Sequence, residues 1–325
     1  MQAIVQTEYG APGDVLHVEE VAMPAAGESE VLVRVGGAPV SGTDWHLIRG
    51  LPYLARFVTG VTRPKNRVPG YDFAGTVAEV GPGVTTVAHG DEVFGWCDGS
   101  MAQYVVVPET QLTQIPSNLS LEEAALVPIA SFTALQGIRD KGRVQPGQKV
   151  LITGASGGVG THAVQIAKHY GAEVTAVASE PKFDLVRSLG ADHVIDYRNQ
   201  SLTATGRRFD VLIDLYGNPS LAEIRRVLKP GGTVVLIGGT GGRWFMGVDR
   251  WLRAMAAAPF LGFRARPLIH RDSHPDLLTI KGLIESGEVR PVLDRTFTLD
   301  EVVKAIEYVT DGHARGQVVV KPWGE

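Results

Sequence analysis

Cysteine is almost missing from this chain of 325 residues: Cys97 is the only one, so no internal disulfide can form and no cysteine-rich zinc knuckle can be built. Excess charge is missing too. The formal net charge is −4 and the pI is near 6.2, which gives nucleic acid no basic field to recognise. No apolar run approaches the length of a membrane span, and the opening MQAIVQTEYG has neither a basic n-region nor a long apolar core. These absences predict a cytoplasmic protein whose partner is a small molecule, with no nucleic acid and no membrane. Hydrophobic residues make up 44% of the chain, enough for ordinary cores, and the length suits two domains sharing a cleft. There is no internal repeat or low-complexity tract.

Glycine is plentiful, and it is densest in the stretch QKVLITGASGGVGTHAVQIAKHYGAEVTAVASEPK, residues 148–182. Val150, Leu151 and Ile152 form a short apolar run that suits a strand buried on both faces. A glycine turn follows at residues 154–160. Val159, Ala163, Ile166 and Tyr170 then recur at helical spacing, Gly171 can close that helix, and residues 174–178 read as a second strand. Strand, turn, helix and strand make the crossover unit of a parallel sheet. A dinucleotide pyrophosphate can rest on a helix N-terminus where backbone N–H groups approach it unhindered by side chains. Gly154, Ser156, Gly157, Gly158, Val159 and Gly160 are the candidates, although the strict G-x-G-x-x-G spacing is met only with Ala155 in the first place. The alternative is a tight turn with a structural role alone.

The end of the second strand discriminates between cofactors. A carboxylate there would accept from the ribose 2′-OH of NADH and repel the 2′-phosphate of NADPH. The strand ends in Ser179, with Glu180, Pro181 and Lys182 following. The hydroxyl and the ammonium favour NADPH over NADH. Glu180 argues the other way unless Pro181 turns its side chain into solvent.

Residues 1–114 are β-rich, with short runs at 31–35, 75–80 and 104–107 punctuated by glycine and proline, which indicates a partly closed barrel. Beyond Pro116 the chain alternates helix-like segments with strand-like runs at 150–153, 174–178, 193–196, 211–214 and 233–237. That alternation predicts an α/β doubly wound sheet.

Five further segments occur in order: VPGYDFAGTVAEVG (residues 68–81), GDEVFG (90–95), MAQYVVVP (101–108), EEAALVPIASFTAL (122–135) and VLITGASGGVGTHAVQIAK (150–168). Together they resemble the medium-chain dehydrogenase/reductase superfamily, and within it the zinc-independent quinone oxidoreductase branch. The resemblance implies a GroES-like catalytic domain over residues 1–122, a Rossmann NAD(P)-binding domain over 123–270, and a segment, 271–325, that returns to the catalytic domain. It also implies a homodimer through the Rossmann sheet edge, with residues 264–270 as the pairing strand. Three cofactor contacts are carried over on the same basis: Thr133 on the nicotinamide side, Tyr197 at the adenosine phosphate, and Arg315 at the cleft. A structural role for Thr133 or Tyr197, or a solvated Arg315, is equally compatible with the sequence.

The zinc-dependent members of the superfamily have cysteine, histidine and usually cysteine at three places. Here those places hold Ser41, Tyr71 and the aliphatic-rich residues 127–131. A hydroxyl, a phenol and an aliphatic side chain do not make a zinc site, and a hard-metal site from Asp44, His46 and Asp72 lacks ligand spacing, so no metal is expected. Without a Lewis acid the expected substrates are already primed for hydride: quinones and α,β-unsaturated carbonyls. The candidate catalytic residues are Thr43, His46, Tyr53 and Tyr71. Thr43 and His46 stand where the zinc relatives pass a proton to solvent, or His46 is a structural histidine. Tyr53 and Tyr71 donate to a substrate oxygen or pack the wall. Asp44 is expected to orient a neighbour or the backbone, and Cys97 to be a small buried hydrophobe.

Residues 51–69, LPYLARFVTGVTRPKNRVP, are expected to form a lid, their charged half solvated. Gly238 and Gly239 follow a strand and are expected near the nicotinamide. The aromatics and methionines after them, Trp244, Phe245, Met246, Trp251, Met255, Phe260 and Phe263, wall a pocket, fill a dimer seam or pack a core. The leading expectation is an NADPH-dependent, zinc-free reductase of quinones or enones. An enoyl or aldehyde reductase, an alcohol dehydrogenase-like enzyme of a specialised pathway, and a non-catalytic NAD(P)H-binding redox sensor are the alternatives.

Overall fold

In a computed structural model of the chain, residues 1–239, 243–244 and 247–323 are described. The chain divides into two compact units, the first made of Met1–Ile129, Asp272–Gly287 and Pro291–Glu325, the second of Ala130–Arg271 and Glu288–Arg290.

The chain opens with the antiparallel pair β1 (Gln2–Gln6) and β2 (Leu16–Glu20), with the short helix α1 (Pro12–Val15) between them. The strand β3 (Glu30–Val40) leads to α2 (Gly42–Ile48) and α3 (Arg56–Thr59). Next come β4 (Asp72–Val80), β5 (Glu92–Trp96), β6 (Tyr104–Pro108) and β7 (Leu112–Gln114), then α4 (Leu121–Ala125) and α5 (Pro128–Leu135). Long and alternately buried, β3 is the hub: β4 and β6 both pair with it antiparallel. The core beneath collects Ile4, Val33, Phe73, Val77 and Met101, all within 1% of full burial.

Against the expected boundary after residue 122, the first unit runs to Ile129. The cause is α4, which packs on β3, β4 and β5. Gly37 makes this possible, because a Cβ there would lie 2.9 Å from Val319 and 3.5 Å from the Ala125 methyl.

The second unit begins its sheet with β8 (Lys149–Thr153), α6 (Gly158–His169), β9 (Glu173–Ala178), α7 (Phe183–Ser188) and β10 (His193–Asp196). It continues through β11 (Phe209–Asp214), α8 (Leu221–Val227), β12 (Leu228–Leu236), α9 (Val248–Leu261) and β13 (Arg264–Pro267). All neighbours pair parallel, in the order β10-β9-β8-β11-β12-β13. Chain order therefore runs outward from β8 to one side, returns, and runs outward from β11 to the other, the doubly wound Rossmann arrangement. Val150, Leu151 and Ile152 are fully buried, as a central strand covered on both faces requires. The helix α6 ends where expected. Gly171 takes a φ of 74°, its N–H reaches the Lys168 carbonyl, and that of Ala172 reaches Ala167, which together make a Schellman cap.

The last segment adds α10 (His274–Glu285), β14 (Leu293–Thr298), α11 (Val302–Thr310) and β15 (Gln317–Lys321). β15 joins β3 antiparallel and β14 pairs with β15 in parallel, so the chain's end re-enters the first sheet. Glu288–Arg290 belongs with the second unit because the Gln165 side chain bonds the carbonyl and the N–H of Arg290, each at 2.9 Å.

Candidate functional site

The glycine turn leaves the carboxyl end of β8, at the switch point between β8 and β11 where open α/β sheets bind their ligands. Its glycines differ in what they do. Gly154 has a φ of 64°, a left-handed conformation that glycine adopts without cost. A Cβ on Gly160 would lie 2.1 Å from the Gly154 carbonyl oxygen and 2.7 Å from the Ala155 backbone. The space expected to serve pyrophosphate at that position is thus filled by the turn's own backbone. Gly157 is the open one, since a Cβ there would meet only the Gly154 oxygen, at 3.5 Å. Gly157 is also the N-cap of α6 and gives the helix no side-chain cap, whereas Ser41, Ser120, Ser220 and Ser273 cap α2, α4, α8 and α10. The N–H groups of the first turn of a helix have no partner within it. At α6, a bare positive helix end with an open Cβ position fits a dinucleotide pyrophosphate.

The parallel sheet brings most of the other expected cofactor residues to this same carboxyl edge. Ser179 follows β9, 5% exposed. Lys182 is half-buried in the single 3-10 turn of residues 180–182, its N–H on the Ser179 carbonyl. Glu180 opens that turn and is exposed. Asp196, the last residue of β10, pairs with Ala178, so Tyr197 stands one strand further along the edge, exposed. Gly238 follows β12, and a Cβ on it would sit 1.8 Å from the Leu215 carbonyl oxygen, so its glycine is required by packing against the end of β11. Gly239 is half-buried beside it. Ser156 is buried in the turn, and Val159 lies in the first turn of α6. Thr133 is buried in α5. Arg315 is not brought to this edge: it belongs to the first unit, exposed, its N–H on Asp294 Oδ2. Of the aromatic-rich stretch, Trp244 and Phe260 are exposed, Phe263 is buried, and Phe245 and Met246 lie outside the described residues, as do residues 240–242 of the glycine run.

A buried polar network missed at the level of sequence supports the edge. Thr153 Oγ1 donates to Asp214 Oδ1 at 3.1 Å and accepts from the N–H groups of Leu215 and Tyr216. Asp214, 1% exposed, pairs with the Arg250 guanidinium. Burial pushes its carboxyl above the usual range, and Arg250 pulls the other way. An acid closing the apolar run VLID was the available signal.

In the first unit, Ser41 and Asp44 form a reciprocal capping box at the start of α2. The Ser41 hydroxyl and N–H both donate to Asp44 Oδ2, at 2.7 and 2.8 Å. Asp44 therefore orients the helix start. Thr43 is exposed in the first turn. One turn on, the His46 ring meets Trp45 edge-on at 4.8 Å, and its Nδ1 is buried with no hydrogen-bond partner among the described residues. Burial and the nearby Arg49 charge hold its pKa below the ordinary value, so the imidazole is neutral. The ring of Tyr53 packs on the Arg56 guanidinium, 4.7 Å from its centroid.

The Tyr71 hydroxyl donates to Asp272 Oδ2 at 2.6 Å, a partner 201 residues away in the sequence. Burial and that carboxylate raise the phenol's pKa well above its usual value, so Tyr71 keeps its proton. Asp72 is buried and accepts the Ile129 N–H at 3.1 Å, tying the first turn of α5 to β4. Burial lifts its carboxyl well above the usual range, and Asp44 and Asp272 add to the lift. Cys97 is buried, and burial raises its thiol.

This donor set does not fit Zn²⁺. The Ser41 hydroxyl is committed to Asp44 and the Tyr71 phenol to Asp272. Residues 127–131 offer no thiolate or imidazole. Among the described residues no group of three His, Cys, Asp or Glu side chains could hold a metal ion.

Comparison with known proteins agrees with this architecture. Residues 27–117 match the family described as alcohol dehydrogenase GroES-like domain, and residues 189–320 the family described as zinc-binding dehydrogenase. A 2-methylene-furan-3-one reductase of Solanum lycopersicum is 35% identical over 99% of this chain and 79% of its own length. An NADPH-dependent alkenal/one oxidoreductase, chloroplastic, of Arabidopsis thaliana is 34% identical over 99% of this chain and 80% of its own. The solved quinone oxidoreductase from Coxiella burnetii superposes with a TM-score of 0.87 at 29% identity, covering 99% of both chains. The chain belongs to the medium-chain dehydrogenase/reductase superfamily, in its quinone oxidoreductase-like branch.

Proposed function

We propose that this protein is an NADPH-dependent, zinc-free reductase of quinones and α,β-unsaturated carbonyls. The observation that carries the reading is the uncapped N-terminus of α6, open at Gly157, at the switch point of the doubly wound sheet. The backbone N–H groups of Gly158, Val159 and Gly160 hold the pyrophosphate, with Ser156 in the turn. Ser179 and Lys182 receive the 2′-phosphate, a role supported by the exposure of Glu180, which leaves no buried carboxylate to repel it. Tyr197, Gly239 and Thr133 complete the cofactor's surroundings, and Arg315 is kept as an outlying candidate.

When bound, the reduced nicotinamide supplies a hydride. The chain's own residues must then steady an oxyanion and supply a proton. Tyr71 suits the first task, because a phenol that holds its proton over the working pH range is a standing hydrogen-bond donor. Being so weak an acid, it stabilises the enolate or semireduced oxygen and leaves protonation to another group. His46, neutral and with a free Nδ1, and Thr43, exposed one turn earlier, form the path by which a solvent proton returns. Tyr53 orients the substrate alongside them. Two relatives whose names specify a furanone or alkenal/one substrate support the enone half of this reading, and the Coxiella burnetii structure supports the quinone half.

The deciding experiment follows the loss of NADPH absorbance with a simple quinone and with a simple enone, before and after treatment with a strong chelator. Turnover unchanged by chelation is expected. Activity abolished by the chelator and restored by zinc would overturn the metal-free mechanism.

A further inference from the structure

Between Asp44 and Asp72 the chain holds Arg49, Arg56, Arg63, Lys65 and Arg67 and no Asp or Glu. This local excess stands out in a protein of formal net charge −4. The same stretch exposes large apolar side chains: Phe57 and Val58 are each 74% exposed and Val61 is 61% exposed. Water-facing apolar groups of this size, grouped together, mark an interaction surface.

The segment is not a strap free to fold inward. The Arg56 guanidinium lies between the rings of Tyr9 and Tyr53, at 4.5 and 4.7 Å, and its Nε donates to the Gly50 carbonyl at 2.8 Å. The Tyr9 hydroxyl donates to the Gly60 carbonyl, and the Lys65 N–H to that of Thr59, both at 2.8 Å. These contacts fix both sides of the tip, so Phe57, Val58 and Val61 project from a braced support. The cations beside them are not neutralised. Arg63 and Lys65 make no ion pair among the described residues, and Arg67 makes only a contact of 3.7 Å with Glu19.

We propose that residues 54–67 are a peripheral docking tip for bilayers rich in anionic phospholipid. Phe57, Val58 and Val61 enter the boundary between headgroups and acyl chains, while Arg63, Lys65 and Arg67 lie over the anionic headgroups. An apolar insertion and a basic cluster are the two signals that stable peripheral attachment takes. A protein partner would need a larger and flatter complementary face than three side chains offer, whereas a fluid headgroup layer needs no shape match. No helix among the described residues is long and apolar enough to cross a membrane, and docking of this kind requires none. The inference departs from the expectation of no membrane partner, which rested on the lack of a spanning run, and it is independent of the proposed reaction.

Cosedimentation of the full chain with phosphatidylcholine vesicles, with and without phosphatidylserine, tests it. The protein is expected to pellet with the phosphatidylserine vesicles at moderate salt and to be released at high salt. Removing Arg63 and Lys65 as Arg63→Gln/Lys65→Gln should weaken binding roughly 25-fold, about fivefold for each charge. Phe57→Ser/Val58→Ser should weaken it on the order of tenfold or more, with the unfolding midpoint of each variant unchanged. Failure of the wild-type protein to sediment with either vesicle, or equal affinity in wild type and both folded variants, would overturn the proposal. So would binding to phosphatidylcholine as tight as to phosphatidylserine.

Discussion

Lys182 is the single side chain on which the choice of cofactor turns. It stands in the short turn after β9, half-buried, beside a buried Ser179 and an outward-facing Glu180. An ammonium there contributes a charge-assisted hydrogen bond to a 2′-phosphate and little to a bare 2′-OH. Replacing it as Lys182→Glu should raise the Kd for NADPH by about 10- to 100-fold, the range such bonds span, with a much smaller effect on NADH. Titration of both cofactors against both proteins checks this, and equal losses would refute the phosphate contact. At this scale the sequence revealed groups that lie close together along the chain. Ser41, Asp44 and His46 fall within one turn of α2, so their mutual geometry follows from helical spacing. The partner that sets the behaviour of Tyr71 could not be read in that way. Asp272 reaches it across 201 residues, and no local pattern encodes such a meeting.

At the level of elements, the glycine turn separates two roles that a motif merges into one. Gly157 keeps space for a ligand, and Gly160 keeps space for the protein itself. Alanine at 157 is compatible with its φ of −87° and ψ of 177° and should cost at most about 1 kcal/mol, as for a lost N-cap glycine. Its effect should fall on NADPH affinity. Alanine at 160 would press its methyl into the Gly154 carbonyl, at 2.1 Å, and should cost about 3 kcal/mol, at the upper end for overpacking. Urea unfolding of Gly157→Ala and Gly160→Ala, each with and without NADPH, distinguishes them. A Gly157 variant that lost stability without cofactor as much as the Gly160 variant would contradict this division. The parallel strands themselves were legible because central strands must be apolar on both faces: the runs at 150–153 and 211–214 correspond closely to β8 and β11. The boundary near residue 122 was not legible, because it depends on α4 resting on β3 through Gly37, a contact between distant segments.

At the scale of the whole molecule, the second unit's sheet ends in an unpaired edge. β13 has β12 on one side and nothing among the described residues on the other, and such an edge invites another strand. Nearby, Phe260 of α9 is 89% exposed and Ile269, just beyond β13, is 80% exposed, more apolar surface than a monomer ordinarily leaves uncovered at one edge. We propose that two copies pair antiparallel along β13 about a two-fold axis, covering these side chains in a self-complementary interface. Alternation along the strand puts Arg264 and Arg266 on one face, so the two copies bring their guanidiniums together there. Association should therefore tighten as salt screens that repulsion. Light scattering across a dilution series should find a dimer whose Kd falls between low and moderate salt. Phe260→Glu, a change at a water-facing position and so expected to alter folding stability by no more than about 0.5 kcal/mol, should shift the population to monomer. A dimer indifferent to both the substitution and the salt would place the interface elsewhere on the molecule.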